Sequence, residues 1–586
     1  MCSFLSSLFL PENIEAGQAL SNTRENRDCG NDDMCGLVLP DIHRMLAKTK
    51  SPAMAPLDKD IYKLVTAQLN RKYPDYASRR ELIEEAFYWE RLRLRRKKRG
   101  KRAESRFYRR LQRDYIIDEN QVNRIFRALI KNHLREIQGN FSNRLFALAR
   151  RLLTAGLRFL INEVRPLQML FRRQALPPVE DKIFVAGAID STRKLAANHT
   201  LVMVPNHVSN FDSVVLGFGL QAVGLPPFFY GAGLNLFTNP LLSFMMNNLG
   251  AYKVDREKRH QLYKEILKAY SIAMLQQGRH SLFFPGGTRL RSGGIEKNLK
   301  LGLLGTAVTA FANSLLGEAP ARPIAIVPVS INYQVVMEAQ GLIRDHLAQT
   351  GKEHYLGDPP ALRRPKTLLK KIGALLRLDT EVYIHVCPPM DVLGHNLDAQ
   401  GRSQADIGLP VDTKRYFWEN GQAVIDANRD AVYTSFLARS ITKTYQNHNL
   451  VTASNVLCYA VWWFKQRQFE AAHSDLSFLY LDSRELRLEK RELFQVMKKV
   501  LRELQRLTTH NQLLMAPALA AAGVDEVYRQ TIDKLARFHY PPPVHLVGSE
   551  LHIGNTALIM YYANRLRAVR GFSDALQAGD EADDAA

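Results

Sequence analysis

A histidine and an aspartate, His207 and Asp212, stand five positions apart in the stretch Thr200–Asp212, TLVMVPNHVSNFD. Histidine titrates near neutral pH, so it can take a proton from an alcohol and later return it. A carboxylate bonded to the ring would hold the useful tautomer, as the aspartate does in a Ser-His-Asp triad. The spacing imposes a condition. On a regular helix a five-residue step turns a side chain by about 140°, so the two groups would point apart. They meet only if His207 lies in the turn before a helix and Asp212 in its first turn. Pro205 and Asn210, both turn formers, favour that placement. The pair alone is a common spacing, and its neighbours must decide what it does.

Three further groups line up behind it. GAYKVDR, Gly250–Arg256, reads as a strand ending in Asp255 and Arg256. FPGGTRLRSGG, Phe284–Gly294, continues to Lys300-Leu301-Gly302, and IVPVSINYQ surrounds Pro328. In the middle group a strand runs into Gly286 and Gly287, whose backbone N–H groups can approach an anion. Arg289, Arg291 and Lys300 follow, and arginine forks match phosphate oxygens in pairs. Neither GxxxxGK[ST] nor GxGxxG is present, so this is not a nucleotide loop of either common kind. There is no GxSxG elbow and no cysteine in a setting that would activate it. The simplest chemistry is direct attack by the hydroxyl of a phosphate-bearing alcohol on an electrophile, without a covalent enzyme intermediate.

The elements around these groups alternate. Lys182–Val185, Leu201–Val204, Ser281–Phe284, Ile324–Val329 and Val382–Val386 read as apolar strands, separated by helical patterns at Lys258–Gln277 and Leu299–Leu315. Apolar strands alternating with helices predict an α/β fold with a mostly parallel sheet. Ligands of such sheets gather at the carboxyl ends of the strands, where His207 and the Gly286-Gly287 loop fall. Before this domain, expected at 179–400, residues 1–55 look loosely ordered and 56–178 read as a basic helical region. Within it Val122, Ile125, Phe126, Leu129, Ile130, Leu134 and Ile137 recur at helical steps, and a second helix is expected from Phe141 to Leu160. These arginine-flanked stripes suit either a helical bundle or a helix lying on lipid. After it, 401–573 reads as helical, with helices expected at Tyr416–Ala438, Val451–Phe469 and Arg487–Leu507. Residues 574–586 read as an acidic, disordered tail. The apolar stretch 213–252 is open to three readings: an acyl-chain tunnel, a membrane-contacting surface, or core.

At 586 residues the chain predicts two or three domains, and its composition, 46% hydrophobic and 24% charged, is globular. Five scattered cysteines form no CxxC pair, so neither a zinc site nor a disulfide framework is expected, and a reducing compartment fits. The N-terminus has no basic n-region and does not read as a signal peptide, and no apolar run reaches 18 residues. The net charge is +22, and the segment Arg91–Arg113 supplies +12 of it, from thirteen Arg and Lys against Glu104. Such a block attracts a polyanion, either nucleic acid or an anionic membrane. Only Phe107 and Tyr108 are at hand to stack on bases, which disfavours a nucleic-acid-binding scaffold.

Taken in order and spacing, the four groups resemble the four motifs of the glycerolipid acyltransferase superfamily. His207 and Asp212 match its HxxxxD. GAYKVDR resembles the glycerol-3-phosphate form of the second motif and puts Arg256 on the substrate-binding arginine. FPGGTRLRSG resembles FVEGGRSRTG, placing Gly287, Arg289, Arg291 and Gly293 on matching positions. Lys300-Leu-Gly-Leu-Leu resembles K-x-G-[LM]-L, and Pro328 matches the proline of the fourth motif. Two later segments, HNLVTASNVLCYAV (His448–Val461) and YYAN (Tyr561–Asn564), resemble parts of the long, PlsB-like enzymes. The departures are Gly286, where the family has a glutamate that is thought to help bind or orient glycerol phosphate, and Leu290, where it has a serine. Glu296 is the nearest acid.

What the resemblance implies is transfer of an acyl group from acyl-CoA or acyl-carrier protein to the 1-hydroxyl of glycerol 3-phosphate. His207 would be the general base and Asp212 its orienting partner. Arg256, Gly286, Gly287, Thr288, Arg289, Arg291, Gly293 and Lys300 would form the substrate site. No metal or cofactor is implied beyond the acyl co-substrate. The expected partner surface is an anionic membrane rather than nucleic acid, at the cytoplasmic face. Dihydroxyacetone phosphate, lysophosphatidate or another lysophospholipid remain open as acceptors.

Overall fold

A computed structural model of the chain describes residues 57–96, 102–113, 118–142, 182–237, 246–317, 322–349, 380–405, 407–468, 487–548 and 550–584, with a few isolated positions besides. The main strands are β1 (Ile183–Gly187), β2 (Thr200–Pro205), β3 (Phe229–Gly233), β4 (Ala251–Val254), β5 (Ser281–Leu282), β6 (Ile324–Tyr333) and β7 (Val382–Val386). The chain divides into two compact units, one of Met1–Ala147 with Phe229–Leu267, the other of Leu148–Phe228 with Lys268–Ala586.

The larger unit contains the strand order β1-β7-β6-β2-β5. The pairs β1/β7, β2/β6 and β2/β5 are parallel and β6/β7 antiparallel, so the expected α/β class with a mostly parallel sheet is what the chain adopts. Every residue of β2 and of β6 is buried, which is why both read as continuous apolar runs rather than as alternating ones. Leu201, Val202, Met203 and Val204 are wholly inaccessible; each such side chain contributes roughly 1.5–3 kcal/mol by leaving water. Behind the sheet the helix Leu301–Ser314 packs its Leu304, Ala307, Val308 and Phe311 into one core with Leu437 and Ile441 of the helix Ala427–Asn447.

The helices beyond 400 belong to this same unit, not to a domain of their own as the sequence suggested. Polar contacts explain it: Tyr445 donates its hydroxyl to the Val204 carbonyl at 2.6 Å, and Ser454 Oγ bonds the Gln334 carbonyl at 2.5 Å. The helix predicted at Tyr416–Ala438 starts later, at Ala427, because Asp426 caps it by accepting from the Asn428 and Arg429 N–H groups. The other two predicted helices stand at Ala453–Gln468 and Lys490–Thr509. The expectation of a disordered acidic tail is also corrected. Phe572–Asp584 is helical, and it is anchored by Phe572 and Leu576, which lie one turn apart and are both buried.

The smaller unit gathers the helices Lys59–Lys72, Tyr76–Arg96, Arg102–Arg113 and Glu119–Ile137 with the parallel pair β3/β4 and the start of the helix Gln261–Gln276. The segment 229–267, read from the sequence as part of the 179–400 domain, groups with these helices in the smaller unit, and ion pairs tie it to them. Lys72 bonds Glu265 at 2.6 Å and Lys258 bonds Glu136 at 2.5 Å. Backbone bonds join Asn140 to Asn247 and Gly250 to Asn140, each at 2.8 Å. All seven apolar residues predicted to stripe the helix up to Ile137 are buried, so here the bundle reading holds. Residues 1–55, the second predicted helix beyond Leu145 and much of 238–245 lie outside the described residues. Among the described residues, no helix is long and apolar enough to cross a membrane.

Candidate active site

Strand β2 ends at Pro205, and Asp212 is the first residue of the helix Asp212–Ala222, as the spacing of the pair required. The intervening turn brings His207 Nδ1 to 2.8 Å from Asp212 Oδ2. Asp212 is completely buried, whereas the His207 side chain is 21% exposed. The carboxylate is saturated from inside. Its Oδ2 also accepts the N–H groups of Val208 at 2.7 Å and Ser209 at 3.0 Å, and its Oδ1 accepts the Tyr333 hydroxyl at 2.7 Å. Backbone N–H groups and a hydroxyl stabilise the charged form of a buried carboxylate. With Nδ1 bonded to a carboxylate, the ring carries its proton there and presents Nε2 as the basic nitrogen.

The surroundings of the turn are fixed with equal care. Asn206 exchanges two hydrogen bonds with the backbone of Ile331, at 3.1 and 2.7 Å. Ser209 Oγ and the Asn210 N–H both bond Glu338. Burial and the adjacent Asp212 charge raise the Tyr333 phenol well above its ordinary range, so it stays a donor. Tyr333 sits in the fourth motif group, but the sequence reading took only Pro328 from it. Pro328 lies in β6 beside Val204, and its carbonyl accepts from Cys387 N–H at 2.9 Å. Its part is to hold the strand that carries His207 into the turn.

The glycine loop comes to the same end of the sheet, because β5 runs parallel to β2. The Phe284 ring stacks on His207 with centroids 4.1 Å apart and planes 23° apart, and Leu290 N–H bonds the His207 carbonyl at 2.6 Å. Gly287 and Gly293 have φ of +71° and +76°, a region that other residues adopt at a cost. A Cβ on Gly287 would stand 2.7 Å from Lys300 Cδ, and one on Gly293 2.9 Å from the Tyr561 carbonyl carbon. The loop is therefore closed on both sides, by the lysine stem and by the late helix Thr556–Arg567. Arg289 reaches Asp345 at 3.9 Å, and Arg291 has a buried Nε with no hydrogen-bond partner. Thr288 and Lys300 are exposed.

The late segment turns out to be part of the site. Asn564 Nδ2 bonds the Ser292 carbonyl at 2.8 Å, and Arg565 bonds the carbonyls of Gly294 at 3.0 Å and Ile331 at 3.1 Å. Arg565 is wholly enclosed, and burial lowers its guanidinium to about 10. Tyr561–Asn564 carried a recognisable signal in the sequence, whereas Arg565 carried none. His207, Asp212, Gly286, Gly287, Thr288, Arg289, Arg291, Gly293, Lys300 and Pro328 thus share one unit. Arg256 belongs to the other, exposed in the turn after β4.

Comparison with known proteins points the same way. Residues 188–332 match the family described as Acyltransferase. A glycerol-3-phosphate acyltransferase of Xylella fastidiosa (strain M23) is 30% identical over 192 residues, 32% of this chain and 21% of that relative. Those of Pseudomonas paraeruginosa (strain DSM 24068 / PA7) and Pseudomonas fluorescens (strain Pf0-1) are each 27% identical. The former matches over 34% of this chain and 22% of its own length, the latter over 38% and 25%. The matched part is thus about a fifth to a quarter of those relatives. The crystal structure of the 1-acyl-sn-glycerophosphate acyltransferase PlsC from Thermotoga maritima aligns with 50% of this chain and 80% of its own, at 16% identity and a TM-score of 0.23; a superposition that loose supports nothing further. Residues 188–332, which contain the His207–Asp212 pair and the glycine loop, are thus the part of the chain that is similar to the Acyltransferase family.

Proposed function

We propose that the chain transfers a fatty acyl group from a thioester, acyl-CoA or acyl-carrier protein, to the 1-hydroxyl of glycerol 3-phosphate, giving lysophosphatidate. The observation that carries the reading is the His207–Asp212 bond of 2.8 Å, set against the loop of glycines and cations. His207 Nε2 takes the hydroxyl proton as the oxygen attacks the thioester carbonyl. The tetrahedral intermediate then collapses, the C–S bond breaks, and the imidazolium returns the proton to the departing thiolate. Asp212 stabilises the imidazolium between those two events.

Arg289, Arg291 and Lys300 are the cations proposed for the phosphate, with Arg256 added by the resemblance of its motif. Gly286, Gly287, Thr288 and Gly293 shape the backbone against it. The apolar stretch 213–252 is proposed to receive the acyl chain. The basic segment Arg91–Arg113 is proposed to meet an anionic membrane at the cytoplasmic face. In support of a lipid rather than a nucleic-acid partner, Tyr108 is not available for stacking: it is 3% exposed and faces His133.

The test is His207→Ala, assayed with glycerol 3-phosphate and an acyl thioester. Transfer should fall by roughly 10²–10⁴-fold, the usual worth of a positioned base, while glycerol 3-phosphate binding stays within a few-fold. Full activity in that variant would remove the mechanism.

A further inference from the structure

The proposed reaction leaves one buried acid of the loop without a task. Glu296 is 9% exposed, and among the described residues its side chain has no hydrogen bond and no ion pair. Its place is specific. A Cβ added to Gly286 would stand 2.6 Å from Glu296 Cδ and closer still to Oε2. The carboxylate therefore fills the volume that a side chain at 286 would take, and Gly286 is required because Glu296 is there.

A buried carboxylate that serves the fold is surrounded by donors, and this unit has one for comparison. Asp391 accepts from the N–H groups of Leu393 and His395, each at 2.9 Å, from the His395 ring at 3.0 Å and from the Thr413 hydroxyl at 2.6 Å. Glu296 has none of these, and burial alone pushes its carboxyl up to about 7. With no donor from the described residues, the carboxylate of this largely buried residue is open at its edge to a donor from a ligand in place of water. That donor is not a phosphate dianion, whose oxygens accept and whose charge a carboxylate repels. It is an O–H group on a molecule whose anionic end lies with Arg289, Arg291 and Lys300.

We propose that Glu296, seated on Gly286, is the positioning residue for the acceptor, its carboxylate accepting a hydrogen bond from the acceptor hydroxyl that is not acylated. This rests on the reading of the chain as a glycerol-phosphate acyltransferase. It makes the site selective for a phosphate that carries a second hydroxyl over one that has only the hydroxyl to be acylated.

The experiment compares glycerol 3-phosphate with 3-hydroxypropyl phosphate, which lacks the middle hydroxyl, by calorimetric binding and by acyl transfer. The chains are the unaltered one, Glu296→Ala, Glu296→Gln and the exchange Gly286→Glu/Glu296→Gly. The unaltered chain should favour glycerol 3-phosphate by roughly tenfold to a hundredfold, the worth of one hydrogen bond to a charged group. Glu296→Ala should lose that preference while binding 3-hydroxypropyl phosphate as before. The exchange, which returns the carboxylate to the same space from the other side of the loop, should restore much of it. Glu296→Gln keeps the volume, so it reads the loss of charge even where the alanine variant folds poorly.

Equal weakening towards both phosphates in Glu296→Ala, or an undiminished preference, would overturn the proposal, as would an unaltered chain that shows no preference. Binding with the expected preference but no acyl transfer would leave the role of Glu296 standing and remove the acyltransferase reading. Transfer with an unchanged preference in Glu296→Ala does the reverse.

Discussion

The two units bury charge in opposite ways. In the smaller one, Arg93 sits 8% exposed among acids: it bonds Glu90 at 2.5 Å, contacts Glu104 and lies 3.8 Å from Asp255. Lys258 meets Glu136 at 2.5 Å and Glu104 at 3.4 Å. Burial by itself would raise Glu90, but the His260 and Arg93 hydrogen bonds and the Lys258 charge outweigh it and hold the carboxyl down to about 2. A pocket of about 250 Å³ opens on this cluster, lined by Glu104, Glu136 and Asp255 on one side of the balance and Arg135, Lys253 and Lys258 on the other. In the larger unit Glu296 is as buried as Arg93 and has no hydrogen-bond or ion-pair partner among the described residues, and its carboxyl moves up rather than down. Burial is common to both, so burial does not mark a functional group. Whether the protein has already answered the charge is what separates a structural network from a site.

The sharpest way to break the contrast is Arg93→Met. Removing one member of a buried network leaves the others uncompensated, at a cost of roughly 3–5 kcal/mol. Glu90, Glu104 and Asp255 would lose a shared cation, and the melting temperature should fall by several degrees or more. A variant that melts with the unaltered chain would mean that water already serves these acids and that the network is not a closed one. The same result would remove one charge from the basic segment without touching its exposed arginines, so lipid binding of whatever remains folded should change little.

The opposite sign is expected for Glu296→Gln. The carboxyl is raised from 4.5 to about 7 in the folded chain, so the folded state holds its proton more tightly than the unfolded one. Below pH 4.5 both states are protonated and the glutamate costs nothing. As pH rises from 4.5 to 7 the unfolded state ionises first, and the chain loses stability up to a limit on the order of 3 kcal/mol. The glutamine variant should therefore be more stable by up to that amount at pH 8 and indistinguishable at pH 4. Melts at the two pH values would show it. A variant less stable at pH 8 would mean that Glu296 has a partner in solution. Gain of stability together with loss of acceptor preference is the trade expected of a group kept for its ligand.

Much of the site was legible because the chemistry and the topology agree in sequence. His207, Asp212 and the glycine loop sit at strand ends that apolar runs reveal, and the five-residue spacing dictates the turn and the helix start between them. Of the strands named above all but β3 were expected from apolar stretches or motif spacing, and Val122, Ile125 and Leu129 announced their helix through its period. What could not be read were contacts between residues far apart in sequence. Arg565 looks like any helical arginine until it is seen bonding Gly294 and Ile331 across more than two hundred residues. The seat of Glu296 on Gly286 joins residues only ten apart, yet nothing in a loop sequence says where the chain doubles back. The same reason hides which helices hold 229–267: Lys72–Glu265 and Lys258–Glu136 are pairs that no local pattern encodes. The acidic tail failed for a different reason, since composition outweighed the one-turn spacing of Phe572 and Leu576.

The smallest effect is expected where a saturated carboxylate loses one donor of several, and Tyr333→Phe tests it. Asp212 would keep His207, Val208 and Ser209 on Oδ2 and lose the 2.7 Å bond on Oδ1. A hydrogen bond to a charged group is worth about 1.5–3 kcal/mol, and the phenylalanine ring fills the same space, so the stability loss should fall near about 2 kcal/mol. Transfer should fall far less than in His207→Ala, by about tenfold, because the oxygen that orients the imidazole is untouched. The two readouts can be separated by measuring melts alongside kcat. A loss of transfer as large as that of His207→Ala, with stability almost unchanged, would mean that Tyr333 acts on the reacting groups through Asp212. It would then belong with Glu296 among groups held for the reaction, and not with Arg93 among groups held for the fold.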